Sequence, residues 1–241
     1  MKIHRFVYDF NFNDGLLMIK DRELINQIKN VLKLRRGEKI ILVDLNGQEA
    51  LTEVVNVMSE FIQVKLLSVD ENKNMSDIQI NLCCSILKNS NFELVVEKAV
   101  EIGIKEITPI IFQRTIKTNL NFTRLNKIAK EAIEQSERAE EVKINDIVDF
   151  KNSLLKRQWN DDLNILCDRG GANINEIAAA IGKKKDAKIN LFIGPEGGFL
   201  TDEVFLAEQN GFLIMNLSSA ILRAETAAIV ASFILNNVST M

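Results

Sequence analysis

The sequence predicts an α/β domain built on a mostly parallel sheet, preceded by a small β domain. Three observations carry that prediction. Beyond residue 77, short apolar runs alternate with segments of helical periodicity, the pattern of strands joined by covering helices. Before residue 70 the apolar runs follow one another without such segments, and two of them hinge on Asn46-Gly47, a strong hairpin signal. Between the two regimes lies DENKNMSD, residues 70–77, charged and prone to turns, which places the junction there. We assign 1–72 to the β domain and 73–241 to the α/β domain.

In order along the chain, the first seventy residues read as strands, with EKIILVDLNGQEALTEVVNV as a hairpin and FIQVKLLSV continuing it. Strand-like runs then appear at 78–87, 106–111, 163–167, 188–194 and 212–217. Within NFELVVEKAVEIG, Phe92, Val95, Val96, Ala99 and Ile102 recur at helical spacing, and Gly103 is a suitable stop. The next helix is expected to be capped at Thr123 and to bury Leu125, Ile128, Ala129, Ala132 and Ile133. The final segment, AETAAIVASFILNNV, is apolar around nearly its whole circumference. Such a helix has to be covered by the core or by another subunit.

A chain of 241 residues with 46% hydrophobic content can supply a real core. No run of 18 apolar residues suggests a membrane span, and MKIHRFVYDFNFNDG lacks a long apolar region, so a cytoplasmic location is the expectation. Cys83 and Cys84 are adjacent and Cys167 is distant, which is neither a disulfide framework nor a metal spacing. With a single histidine, His4, no HExxH and no elbow-like Ser or Cys, neither a catalytic metal nor a nucleophilic triad is expected. The net charge of −3 speaks against coating nucleic acid by bulk electrostatics. Two local clusters run the other way: Lys29, Lys33, Arg35, Arg36 and Lys39, and GKKKDAK at 182–188. Runs of this kind are often simply solvated surface.

In parallel sheets, ligands sit at the carboxyl ends of strands. Three loops there stand out: CDRGGAN (167–173), GPEGGFL (194–200) and SSAILRAET (218–226). The glycines of the second let backbone N–H groups approach a ligand, and the helix that follows is expected to start at Thr201, with Asp202 and Glu203 complementing its positive end. A tight turn that needs positive φ would use the same glycines. The spacing is neither GxGxxG nor a P-loop, which removes the dinucleotide and P-loop readings. Arg223 and Glu225 flank the start of the last helix, where chemistry and a structural ion pair are equally open. Any chemistry would use a bound cosubstrate.

GPEGGF followed by ILRAETA, with VEKAVEIGIKEITPI and AIEQSER upstream and HRF and NVLKLRRGE in the β domain, resembles the ribosomal RNA small subunit methyltransferase E family over nearly the whole chain. The resemblance implies a SPOUT-type α/β domain tied in a deep trefoil knot, preceded by a PUA-like β-barrel, acting as a homodimer. It also implies S-adenosyl-L-methionine as cofactor and methylation of N3 of a uridine in small-subunit ribosomal RNA. On this resemblance Ile193, Gly194, Pro195, Gly197 and Gly198 would meet the cofactor, with Leu217, Ile221 and Leu222 enclosing it from the last loop. Uridine N3 carries a proton with a pKa above neutrality, so transfer requires its removal and stabilisation of the resulting charge. Arg223 is expected to stabilise that charge, and Glu225 to position Arg223 or assist proton removal. For RNA phosphates the candidates are Arg5, Lys29, Lys33, Arg35, Arg36, Arg114 and Arg138; local fields act within about 10 Å, so the acidic total does not forbid them. The chain departs from the family pattern at Lys33, Val142, Ser218 and Ala220. A SPOUT methyltransferase acting on transfer RNA or another ribosomal position, and a non-catalytic RNA-binding assembly factor, are the alternatives.

Overall fold

A computed structural model of the chain describes residues 3–11, 15–74, 78–156, 158–159, 162–182 and 188–237. Its contacts divide it into two units, Met1–Met75 with Ile133–Glu141, and Ser76–Ala132 with Val142–Met241.

The first unit holds β1 (His4–Val7), β2 (Leu16–Ile19), α1 (Arg22–Asn26) running into a π-helical turn at Gln27–Val31, β3 (Lys39–Val43), β4 (Gln48–Val57) and β5 (Ile62–Glu71). Its mixed sheet has the order β1-β3-β4-β5-β2, with β1 parallel to β3 and the other pairs antiparallel. Residues from every strand and from α1, including Phe6, Ile19, Leu24, Ile28, Leu42, Val54 and Val64, fill one core. The stretch 22–31 is helical where strands were expected. The Asp21 carboxylate accepts from Leu24 N at 2.7 Å, and Leu24, Ile25 and Ile28 then fall into the core at a period near 3.6 instead of 2.

The excursion 133–141 was not legible as part of this unit. Val7 N donates to Glu134 Oε1 at 2.8 Å, Gly47 N to the Ala139 carbonyl at 2.9 Å, and Asn72 Nδ2 to the Glu137 carbonyl at 2.8 Å.

The second unit comprises β6 (Ile80–Ser85), α2 (Asn91–Ile102), β7 (Glu106–Ile111), α3 (Phe122–Gln135, whose final turn belongs to the first unit), β8 (Lys143–Ile144), β9 (Val148–Asp149), α4 (Phe150–Leu155), β10 (Leu163–Ala172), α5 (Ile174–Gly182), β11 (Ile189–Ile193), α6 (Thr201–Gln209), β12 (Leu213–Met215) and α7 (Ala224–Asn236). The sheet order is β12-β10-β11-β6-β7-β8, with β9 also beside β7, and its pairs are parallel. β6 and β11 are buried along their whole lengths, which is why their sequences show apolar runs without alternation. Phe192 of β11 joins Phe112, Phe150, Phe212 and Trp159 in an aromatic core.

Two local expectations are corrected. Helix α3 begins two residues earlier than a cap at Thr123 implies and is capped by Asn121, whose Oδ1 accepts from Arg124 N at 3.1 Å, so Thr123 lies inside the helix. CDRGGAN is mostly strand, not loop. β10 runs on to Ala172, and an irregular register lets both Cys167 and Ala172 pair with Met215.

Candidate active site

The parallel register places the carboxyl ends of β10, β11 and β12 side by side, and the loops that leave them bound a cavity of about 650 Å³. Around it the structure gathers Ile193, Gly194, Pro195, Gly197 and Gly198 from the first expected set, and Leu217, Ile221 and Leu222 from the second. Arg223 and Glu225 line the same space.

The turn after β11 is closed by Gly198 N donating to the Pro195 carbonyl at 2.8 Å. Gly198 sits at φ 69°, a left-handed conformation that costs an ordinary side chain energy, and open space surrounds the position its Cβ would take. Under Gly194 lies the Phe199 ring, which meets Phe112 edge to face at a centroid distance of 5.0 Å. The neighbouring strands supply struts. Lys88 N, beyond β6, donates to Glu196 Oε1 at 2.8 Å; Gln113 N, beyond β7, donates to Glu203 Oε1 at 2.8 Å. Glu203 is 1% exposed, and its other oxygen accepts from Leu200 N at 2.9 Å, so this buried carboxylate is held by backbone donors at the positive end of α6.

The loop after β12 is shaped by its own side chains: Ser218 N donates to Asn216 Oδ1 at 3.2 Å and Ala220 N to Ser218 Oγ at 3.1 Å. The departure at Ser218 thus has a local role. Arg223 occupies the cap position of α7 in an extended conformation, and its carbonyl accepts from Ala227 N at 2.8 Å. Among the described residues its guanidinium forms no ion pair, so neither Glu225 nor Glu196 sequesters it. Cys84, at the end of β6, is buried, and burial first, then the carboxylates of Glu196 and Glu225, push its thiol far up. It stays protonated at neutral pH and is no nucleophile.

The cavity also takes in Cys167, Asp168, Arg169 and Phe199, which lie in the flagged segments CDRGGAN and GPEGGFL without having been named as contacts, and Asn91 and Asn216, which lie outside them. Asp168 and Arg169 lie in CDRGGAN, where the strand-end position was the available signal. Asn91 opens α2, after a strand without a glycine turn, and nothing local marks it.

The RNA candidates separate. Lys29, Lys33, Arg35 and Arg36 are all exposed between α1 and β3. Arg138 is 3% exposed and its Nη2 lies 2.8 Å from Glu140 Oε2; Arg5 is largely buried, with Nη1 2.6 Å from Glu49 Oε1. These two guanidiniums are committed to carboxylates inside the first unit, and the expectation that they meet phosphates is corrected on that ground. Arg114 donates to the Gly197 carbonyl at 2.6 Å. Of the cluster 182–188, residues 183–187 lie outside the described residues. Among the described residues there is no group of acids, cysteines or histidine able to hold a metal, and no helix long and apolar enough to cross a membrane.

A glycine turn and an arginine at the cap position of a helix, at the carboxyl edge of a parallel sheet and following a small mixed-sheet unit, define a class. The family described as RNA methyltransferase domain matches residues 72–236, and that described as RNA methyltransferase PUA domain matches residues 21–67. A ribosomal RNA small subunit methyltransferase E from Mesomycoplasma hyopneumoniae is 33% identical over 85% of this chain and 87% of its own length. Ribosomal RNA small subunit methyltransferase E 2 from Borreliella burgdorferi is 28% identical over 93% of each chain. A crystal structure of the enzyme of that name from Neisseria gonorrhoeae, bound to S-adenosyl methionine, superimposes with a TM-score of 0.85 at 26% identity over 99% of this chain and 98% of that one. The chain belongs to the ribosomal RNA small subunit methyltransferase E family, and its second unit has the SPOUT-type α/β fold that the sequence led us to expect.

Proposed function

We propose that this protein transfers a methyl group from S-adenosyl-L-methionine to N3 of a uridine in small-subunit ribosomal RNA. The observation that carries the proposal is one cavity bounded by both the GPEGGF turn and the ILRAET segment, with Arg223 and Glu225 on its wall. The residues present fit the cofactor. Its volume of about 650 Å³ falls within the range of small-molecule sites, and open space faces Gly198. When bound, S-adenosyl-L-methionine supplies a methyl group on a positively charged sulfur. Ile193, Gly194, Pro195, Gly197 and Gly198 would hold it from the turn, and Leu217, Ile221 and Leu222 from the last loop, which the family's trefoil knot would bring together.

The chain's own residues have two tasks. N3 of the uracil must lose its proton before its lone pair can take the methyl group, and the charge left on the ring must be stabilised. Arg223 stabilises that charge at a uracil oxygen, while Glu225, half-buried one residue into α7, positions Arg223 or assists proton removal. Exposed Lys29, Lys33, Arg35 and Arg36 neutralise RNA phosphates. A second copy of the chain covers α7, where Phe233 is 54% exposed; sedimentation at twice the chain mass is the expected result, and a monomer would remove this part.

The deciding assay is methyl transfer from labelled S-adenosyl-L-methionine to small ribosomal subunits from a strain lacking the protein, followed by nucleoside analysis. Labelled N3-methyluridine is expected, with Arg223→Ala slowing turnover roughly a hundred- to a thousandfold. Normal turnover by that variant would remove Arg223 from the mechanism. Label on transfer RNA alone would overturn the substrate, and no binding of S-adenosyl-L-methionine would favour a non-catalytic RNA-binding factor.

A further inference from the structure

We infer that Arg114 is a positioning residue for the cofactor turn instead of a phosphate contact. The inference rests on reading the cavity as the S-adenosyl-L-methionine site. Arg114 lies just beyond β7, and its Nη1 donates to the Gly197 carbonyl at 2.6 Å, with the Phe199 carbonyl at 3.5 Å from the same atom. The Gly197 carbonyl and the Gly198 N–H belong to one planar peptide group. That group is therefore held at both ends, by Arg114 on the carbonyl and by the Pro195 carbonyl on the N–H at 2.8 Å. Once its plane is fixed, so is the entry into the left-handed Gly198, and with it the surface the turn offers the ligand.

The stem of Arg114 takes part as well. A Cβ on Gly197 would lie 3.3 Å from Arg114 Cδ, so a side chain at 197 would press on the arginine stem that lies across the turn. The arginine's own backbone is anchored on both sides. Gln113 N is bound by the buried Glu203 carboxylate at 2.8 Å, and the Thr115 hydroxyl accepts from Phe112 N at 2.8 Å while lying 2.9 Å from Ser85 Oγ at the end of β6. Residues 112–115 form a strut from the ends of β6 and β7 to the turn after β11. Arginine suits its tip, because the planar guanidinium fixes the direction of the Nη1 donors that face the Gly197 carbonyl, where an ammonium would meet it as a rotating point charge.

The test is calorimetric binding of S-adenosylhomocysteine, without RNA, to wild type, Arg114→Ala, Arg114→Lys and Arg114→Met, together with steady-state kinetics and RNA affinity. Loss of a charge-assisted hydrogen bond is expected to weaken binding about tenfold in Arg114→Ala. Arg114→Lys should recover part of it. Arg114→Met, which keeps the stem over Gly197 and lacks the donors, should behave like Arg114→Ala and decides the matter if alanine at 114 prevents folding. KM for S-adenosyl-L-methionine should rise while kcat at saturation and RNA affinity stay within about twofold of wild type. Unchanged cofactor binding in Arg114→Ala and Arg114→Met, with RNA affinity lowered, would overturn the inference and return Arg114 to the phosphates. If wild type itself binds no S-adenosylhomocysteine, it is the reading of the cavity that falls, and the inference falls with it.

Discussion

Glycine 171 shows how one residue governs the cavity wall. A Cβ built there would lie 2.4 Å from the Ile214 carbonyl carbon and oxygen and 2.6 Å from Met215 N, all backbone atoms of β12 that cannot swing aside. The neighbouring Gly170 meets nothing within 4 Å. Gly171→Ala is therefore expected to destabilise by roughly 1–3 kcal/mol or more and to separate β10 from β12, whereas Gly170→Ala should stay within about 0.5 kcal/mol of wild type. Chemical denaturation of the two variants side by side checks this; equal stability would contradict the close approach. Both glycines read alike in CDRGGAN, because what distinguishes them is a strand more than forty positions away.

At the scale of elements, β11 is the hinge of both core and site. Its apolar run Ile189–Ile193 is buried throughout, with Phe192 in contact with Trp159, Phe150 and Phe212 at centroid distances of 5.3, 5.9 and 4.9 Å. Directly after it ends, the GPEGGF turn begins. Truncation of Phe192 to alanine should cost about 3–5 kcal/mol, read by denaturant unfolding followed through the fluorescence of the single tryptophan, and a cost below about 1 kcal/mol would deny the ring its central place. Register across the strands is set by polar side chains as well. Asn190 Nδ2 donates to Asn164 Oδ1 at 2.9 Å, Asn81 Nδ2 to Asn190 Oδ1 at 3.0 Å, and Thr108 Oγ1 to Asn81 Oδ1 at 2.8 Å, a buried ladder across β10, β11, β6 and β7. A one-residue slip of any strand would leave these groups unsatisfied, which penalises alternative registers. The apolar pattern alone placed the strands; this ladder, invisible as spacing, aligns them.

For the whole molecule, the amino ends of the strands carry an ion pair, Lys188 with Glu106. Burial by itself would raise the Glu106 pKa, but the hydrogen bond from Lys188 Nζ at 2.8 Å and that from Asn145 outweigh it and hold the carboxyl below its usual range. A carboxylate with a depressed folded-state pKa adds stability above its unfolded pKa, and that contribution is lost as pH falls through the folded value. Stability of the wild type should thus drop on acidification below the ordinary carboxylate range, and Lys188→Met should flatten that part of the profile while costing little at low pH. Thermal melts of both proteins across that window provide the check; parallel profiles would show that the pair contributes nothing.

What the sequence determined by itself was whatever is written in neighbouring residues. The alternation of β6, α2, β7, β10, β11 and β12, the Asn46-Gly47 hairpin, the GPEGGF turn and the start of α7 beside Arg223 are local patterns, set by side-chain period and by backbone preference. The tertiary structure decided which partner each charge meets. Arg5 and Arg138, basic and plausible as phosphate ligands, lie against Glu49 and Glu140; residues 133–141 join a unit whose other residues end at Met75; Arg114 meets Gly197 across 83 positions of sequence. Burial and ion pairing depend on what the fold brings alongside, and no spacing within a short window encodes that.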